Sequence, residues 1–172
     1  MTVKGLKDKI EAFNKALKPA INEEVHRTRD VILSLNQDQL LYGRNADGEL
    51  LKPDYMDDPY FEGDKEKALN YLNGKINLED MHESLIRFPE LNLFTGKPRG
   101  TPNLIINGAW FMNHLFINVG EGTYTIGSYG IKEGDISKKY NNRTYGLAPP
   151  SRRHYYFEYL RPVIEQLWKN TR

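Results

Sequence analysis

The sequence has no cysteine among its 172 residues, which excludes disulfides, thiolate chemistry and cysteine-based metal sites. It also has no apolar run of about 18 residues, so no segment is expected to span a membrane. Residues 1–5 lack the apolar stretch of a signal peptide. Its 24 basic and 23 acidic side chains nearly balance, which argues against whole-domain electrostatic binding to nucleic acid or membranes. We therefore expect a protein made in a cytoplasm and used there, or inside a particle assembled there.

The residues that are present predict a single α+β domain over residues 1–172, with helices at both ends and strands between them. Residues 1–40 form an N-terminal helical region, because apolar side chains recur there in steps of three and four. Pro19 lacks the N–H that an interior helical turn requires, so a kink or a helix boundary is expected there, with segments 5–17 and 19–40. The apolar stripe consists of Leu6, Ile10, Phe13, Leu17, Ile21, Val25, Ile32 and Leu35.

The second half of the chain predicts a central antiparallel β-hairpin within residues 103–130, because apolar and polar side chains alternate on both sides of a glycine turn. A C-terminal helix is expected over residues 153–169, with Pro162 as an alternative start. Four further segments are expected to be short helices at 64–72 and 78–88, a loop at 89–102 and a polar loop at 134–142.

Candidate metal sites in the sequence are weak. No two of the four histidines have the i, i+4 spacing that presents two imidazoles on one helical face. The segment 45–48 resembles part of an EF-hand calcium loop. However, Gly43 occupies the position of the first acidic ligand, and Asp54 occupies the position that requires a glutamate. The spacing therefore favours a turn, and we expect no metal and no cofactor.

Candidate catalytic groups are also weak. The adjacent carboxylates at 57–58 and 79–80 point apart on a helix or strand, and there is no cysteine nucleophile and no Gly-x-Ser-x-Gly elbow. We expect a protein that is not an enzyme. Two alternatives stay open: a small hydrolase in which Asp57, Asp58 and a histidine converge on folding, and a monomeric binding or regulatory module.

Basic and aromatic side chains are interleaved near the C-terminus. Such a group suits a polar protein interface first, a solvated face second and contact with DNA third, because the chain as a whole is neutral. Its members are Lys138, Lys139, Tyr140, Arg143, Tyr145, Arg152, Arg153 and Tyr155.

Three short motifs in a fixed order carry a family resemblance. The turn segment 41–48 is followed by an aromatic residue at Tyr55, residues 107–113 precede the central strands, and the Pro/Arg-rich segment 149–153 leads to 159–163. In this order the chain resembles tail-completion, head–tail connector or neck-ring proteins of tailed bacteriophages. The similar groups are the HK97 gp10-like and virion-morphogenesis families, and proteins of Bacteroidetes (crAss-like) phages are closest in character.

The resemblance implies a structural virion protein of the neck or tail, assembled in the host cytoplasm, without an active site. Copies would form a closed ring, a hexamer or dodecamer, that contacts the portal and neighbouring neck or tail proteins and surrounds the DNA channel. The subunit contacts are expected to involve Trp110, Phe111, Tyr155, Tyr156 and Arg161. Non-specific contact with channel DNA is expected from a loop that carries Lys132, Lys138, Lys139 and Arg143.

Overall fold

The computed structural model describes residues 2–81, 87–104, 114–120 and 123–171, which form the predicted α+β fold. Two helices begin the chain, α1 (Val3–Arg27) and α2 (Arg29–Leu41), and α3 (Lys65–Met81) follows. A two-stranded sheet comes next, with β1 (Leu115–Gly120) and β2 (Thr123–Ser128). The chain then forms α4 (Glu133–Lys139), α5 (Pro149–Tyr155), a π-helical turn (Tyr156–Leu160) and α6 (Arg161–Asn170).

The predicted helix boundary at Pro19 is wrong. Helix α1 continues through Pro19 to Arg27, and the break falls at Thr28. Pro19 and Lys15 are both exposed, so water can bond to the Lys15 carbonyl in place of the missing N–H. The break at Thr28 has a tertiary cause, because the buried Thr28 hydroxyl lies 2.7 Å from the Glu24 carbonyl and 2.6 Å from the Tyr155 hydroxyl.

Helix α2 is the centre of the core. Ile32 and Leu35 pack in one buried cluster with β2 and α5, while Leu40 and Leu41 pack in a second cluster with Leu51, Leu104 and α4. Two fully buried amides on α2 bond to the segment before α5. The Asn36 and Gln39 side chains each donate to the Gly146 carbonyl at 3.0 Å, and Gln39 Oε1 accepts from the Ala148 N–H at 2.6 Å.

The predicted β-hairpin is confirmed in its two strands. They pair antiparallel in a register that sets Ile117 opposite Ile126 and Gly120 opposite Thr123. Ile126 is buried against α1, α2 and α5, so the hairpin presents one face to the core and the other to solvent. Residues 105–113 and 121–122 of the predicted hairpin region lie outside the described residues.

The middle of the chain differs from its predictions in helix length. Helix α3 runs to Met81, well beyond the expected 64–72, and residues 82–86 of the expected second helix lie outside the described residues.

The turn at 45–48 is confirmed, since Asn45 Oδ1 accepts the backbone N–H groups of Asp47 at 3.0 Å and Glu49 at 2.9 Å. The predicted loop at 89–102 holds only a 3₁₀ turn, Pro89–Leu91.

The expected loop at 134–142 is wrong, because most of it forms helix α4. Ile136 and Tyr140 anchor this short helix by packing in the core. The C-terminal helical run begins at Pro149, earlier than the expected 153, and continues past Pro162. Just before Pro162 the Arg161 N–H bonds to the Tyr156 carbonyl, a wider i to i−5 turn that accommodates a proline inside a helix.

Candidate functional site

Residues 3–20 of α1 and residues 161–170 of α6 form a two-helix arm in which no residue is buried. The helices run antiparallel: Phe13 packs edge-on to Trp168, with 5.2 Å between ring centroids, and Lys9 Nζ lies 4.6 Å from the Trp168 centroid. Packing of a helix face against the body usually supplies most of a helix's stability, so an arm this exposed needs further contacts.

The outer part of the arm exposes an apolar stripe. Val3, Leu6 and Ile10 are spaced so that they share a face of α1, and they are 88%, 43% and 42% exposed. Trp168 of α6, which packs against Phe13 of α1, is 39% exposed. Contiguous apolar surface of this kind marks an interaction site more often than isolated exposed residues do.

The predicted subunit-contact residues are divided between core and surface. Tyr155 is buried and stacks on Tyr159 with 5.3 Å between ring centroids, so it serves the core of its own chain. Tyr156 and Arg161 are exposed, and Arg161 Nε donates to Glu165 Oε1 at 2.7 Å. Trp110 and Phe111 lie outside the described residues. The sequence did not identify Ile10 and Trp168 as surface residues. Each belongs to an apolar helix stripe whose other members include core residues.

The predicted DNA-channel residues do not form one basic surface. They lie on or beside helix α4, where a loop was expected. Lys139 pairs with Asp58, and Arg143 Nη1 donates to Asp47 Oδ2 at 2.8 Å. Lys138 is exposed, whereas Lys132 and Lys139 line a cleft.

This cleft has a volume of about 610 Å³ and lies between α3, α4 and the turn at Pro59–Phe61. Its walls combine five aromatic rings with three lysines and two aspartates, and we refer to it as the aromatic–lysine cleft. The lining residues are Tyr55, Asp58, Tyr60, Phe61, Tyr71, Lys75, Leu104, Lys132, Asp135, Ile136, Lys139 and Tyr140.

Two charged groups of the cleft are buried. The Asp58 carboxylate accepts from the Tyr60 N–H at 3.1 Å and from the Lys139 ammonium. Lys75 is 7% exposed, and burial, reinforced by the like charge of Lys132, lowers its pKa to about 8. The spacing of Tyr71 and Lys75 on one helix face is visible in the sequence, but the pairing of Asp58 with Lys139 across 81 positions is not.

The lowered pKa of Lys75 predicts that the protein gains stability as the pH rises above 8. Between the folded pKa of about 8 and the usual lysine value of 10.5, the unfolded chain binds more protons, so the free energy of unfolding increases with pH. The increase from Lys75 approaches roughly 1.4 kcal/mol per pH unit. Urea unfolding at pH 7.5 and pH 9.0 should show a smaller increase in Lys75→Met than in wild type, and identical pH dependence would contradict the assignment.

Metal-binding and membrane-spanning features are not found in the described part of the chain. No group of three or more histidine, aspartate or glutamate side chains there is arranged to hold a metal ion. Among the described residues, no helix combines the length and apolarity needed to cross a membrane. No protein-family model matches the sequence, and neither a curated protein nor a solved structure is detectably similar to it.

Proposed function

We propose that this chain is a non-enzymatic structural protein of a tailed-phage virion, which assembles into a closed ring in the neck or tail. The observation that carries the proposal is the two-helix arm, none of whose residues is buried and whose surface exposes Val3, Leu6, Ile10 and Trp168. The order of sequence motifs shared with neck and tail-completion proteins supports the choice of a virion.

A second copy of the chain is the occupant that best fits the arm. The α1 part of the arm carries five lysines against one aspartate and one glutamate, so its apolar stripe lies within a basic surface. Elsewhere on the chain, residues 54–64 contain five acidic side chains and no basic one. Of these, Asp57, Glu62 and Asp64 are exposed, and Met56 of the same segment is 38% exposed. We refer to these four residues as the acidic face.

The arm and the acidic face are different surfaces of one chain, so their contact between copies is heterologous. Heterologous contacts close into rings when the rotation per subunit divides a full turn, which is the symmetry that a neck or tail ring requires. Opposite charge around an apolar centre would steer the copies together and fix their orientation. The ring would surround the DNA channel and contact the portal, with Lys132 and Lys138 available to DNA.

The experiment is negative-stain imaging of the purified protein, alone and after mixing with portal particles of the same phage. The proposal expects closed rings with six or twelve subunits, or added density on the portal vertex. A protein that stays monomeric and leaves portal particles unchanged would contradict it and would favour the monomeric binding module.

The charge complementarity gives a prediction of its own. The double substitution Asp57→Lys, Glu62→Lys should weaken assembly about tenfold or more at low salt, because it places like charges opposite the arm. Adding Lys4→Glu and Lys7→Glu should restore assembly by exchanging the signs. Association can be followed by light scattering against ionic strength. If the variant with all four substitutions assembles no better than the double variant, the arm does not contact the acidic face.

A further inference from the structure

Another cavity lies at the base of the arm, where α1, β2 and α5 meet the end of the π-helical turn. Its volume is about 280 Å³. Ile21 directly follows the arm residues of α1 and Leu160 directly precedes those of α6, so we refer to this cavity as the arm-base pocket. Pockets for drug-sized ligands typically measure roughly 300 to 1,000 Å³, so a ligand that fits here is small.

The arm-base pocket is lined mainly by aliphatic and aromatic side chains of the buried cluster that contains Ile32 and Leu35. Six of its nine lining residues are of this kind, namely Ile21, Val25, Tyr124, Leu147, Tyr155 and Leu160. Half of these six are buried members of the cluster and the other half pack against it. The packing of the body therefore fixes the walls, and a ligand meets apolar surface that is already formed.

The composition of this lining favours an alkyl chain over a flat ring. The Tyr155 ring is already stacked on Tyr159, with 5.3 Å between ring centroids, and its hydroxyl pairs with the Thr28 hydroxyl at 2.6 Å. The walls otherwise consist largely of aliphatic groups. An alkyl chain gains free energy from the burial of each methylene and needs no partner of a particular geometry.

The charge at the pocket favours an anionic head group. Arg152 is the only charged residue among the described residues that line it. Burial raises the pKa of the Tyr124 hydroxyl and the Arg152 guanidinium opposes that rise, so the guanidinium acts at the pocket wall although its side chain is exposed. In the part of the chain that the structure describes, no carboxylate pairs with Arg152.

The buried carboxylate nearest to this region is already neutralised. Glu24 acts on the charge of Tyr155, but both of its oxygens accept from Arg27, from Nε at 2.9 Å and from Nη2 at 2.5 Å. It therefore does not compensate Arg152, and a carboxylate at the pocket would meet an unpaired guanidinium.

We propose that the arm-base pocket binds a medium-chain alkyl carboxylate. The chain lies among Ile21, Val25 and Leu160, and the carboxylate accepts from the guanidinium of Arg152, whose planar fork of N–H donors matches it. The site shares no residue with the exposed stripe of the arm or with the acidic face, so the proposal does not depend on ring assembly.

The test is isothermal titration calorimetry of the full chain with hexanoate, octanoate and octylammonium. Each buried methylene should tighten binding about fourfold, so octanoate should bind roughly 15-fold more tightly than hexanoate. Octanoate should also bind at least tenfold more tightly than octylammonium, which has the same chain and the opposite charge. No saturable binding of octanoate, equal affinity for the two carboxylates, or equal affinity for octanoate and octylammonium would overturn the proposal.

Arginine variants locate the site. Arg152→Gln should weaken octanoate binding at least tenfold and leave the fold intact, because the side chain is exposed. The matched control is Arg153→Gln, the same change at the next residue of α5, which is also exposed but lies outside the pocket lining. Arg153→Gln should bind octanoate as wild type does. Equal affinity in wild type and Arg152→Gln, or an equal loss in both variants, would overturn the proposal.

Ile10→Glu separates the pocket from the apolar stripe of the arm, which could also attract an alkyl chain. Ile10 is exposed on that stripe and does not line the pocket. The variant should therefore bind octanoate as wild type does. A tenfold loss of affinity in Ile10→Glu would place the ligand on the arm and overturn the proposal.

Discussion

Replacing Ile10 by glutamate should abolish ring assembly while the chain stays folded. Ile10 is 42% exposed on the arm, so a glutamate carboxylate there can reach water in the isolated chain, but it would be buried in the proposed contact between copies. Loss of an interface hot spot typically costs about 2 kcal/mol or more, which is roughly a 30-fold loss of affinity at every contact. Because a closed ring repeats the contact at each subunit, the whole particle should be lost.

The matched control is Ile131→Glu, the same change at a residue that is 88% exposed but lies outside the arm. It should assemble as wild type does, and circular dichroism should show both variants folded. If Ile131→Glu abolished assembly and Ile10→Glu did not, the contact surface would lie near α4 and the arm would have another role.

Replacing Gly43 by alanine should destabilise the chain by about 3 kcal/mol, the largest single-residue effect on folding that we expect. Gly43 ends helix α2 in the left-handed region, with φ of 64°. Its N–H bonds to the Leu40 carbonyl and the Arg44 N–H to the Gln39 carbonyl, a Schellman arrangement that favours glycine. An added Cβ would lie 2.3 Å from Thr101 Cγ2 and 2.6 Å from the Pro102 carbonyl oxygen.

Gly63→Ala is the control that measures the cost of the left-handed backbone conformation alone. Gly63 also has a positive φ, 82°, but nothing lies within 4 Å of an added Cβ, so only the left-handed strain of roughly 1 kcal/mol applies. Thermal unfolding should place the Gly43→Ala midpoint about 10 °C below wild type and the Gly63→Ala midpoint only a few degrees below. Equal losses would show that Thr101 and Pro102 move aside at no cost.

The elements that the sequence predicted are those set by local periodicity. The stripe from Leu6 to Leu35 predicts helices from its local period of three and four residues, and the alternation around Ile117 and Ile126 predicts paired strands. The break between α1 and α2 could not be predicted, because it depends on a hydroxyl pair between Thr28 and Tyr155, which are 127 positions apart.

Helix α4 and the cleft escaped prediction for the same physical reason. The seven residues of α4 are too few to be stable alone, and the helix depends on Ile136 and Tyr140 packing in a core built from distant segments. The cleft likewise needs α3, α4 and the Pro59–Phe61 turn brought together. The basic residues around α4 were visible in the sequence, but their pairing with Asp47 and Asp58 was not.

The measurement that tests the central claim most directly is the number of copies bound to each portal particle. Light scattering of portal particles saturated with wild-type protein would give the added mass in units of the 20.0 kDa chain. Six or twelve copies per particle, with none added by Ile10→Glu, is the result expected of a ring that closes through the arm. No bound copies, or a count that rises without limit, would contradict a closed ring in the neck or tail.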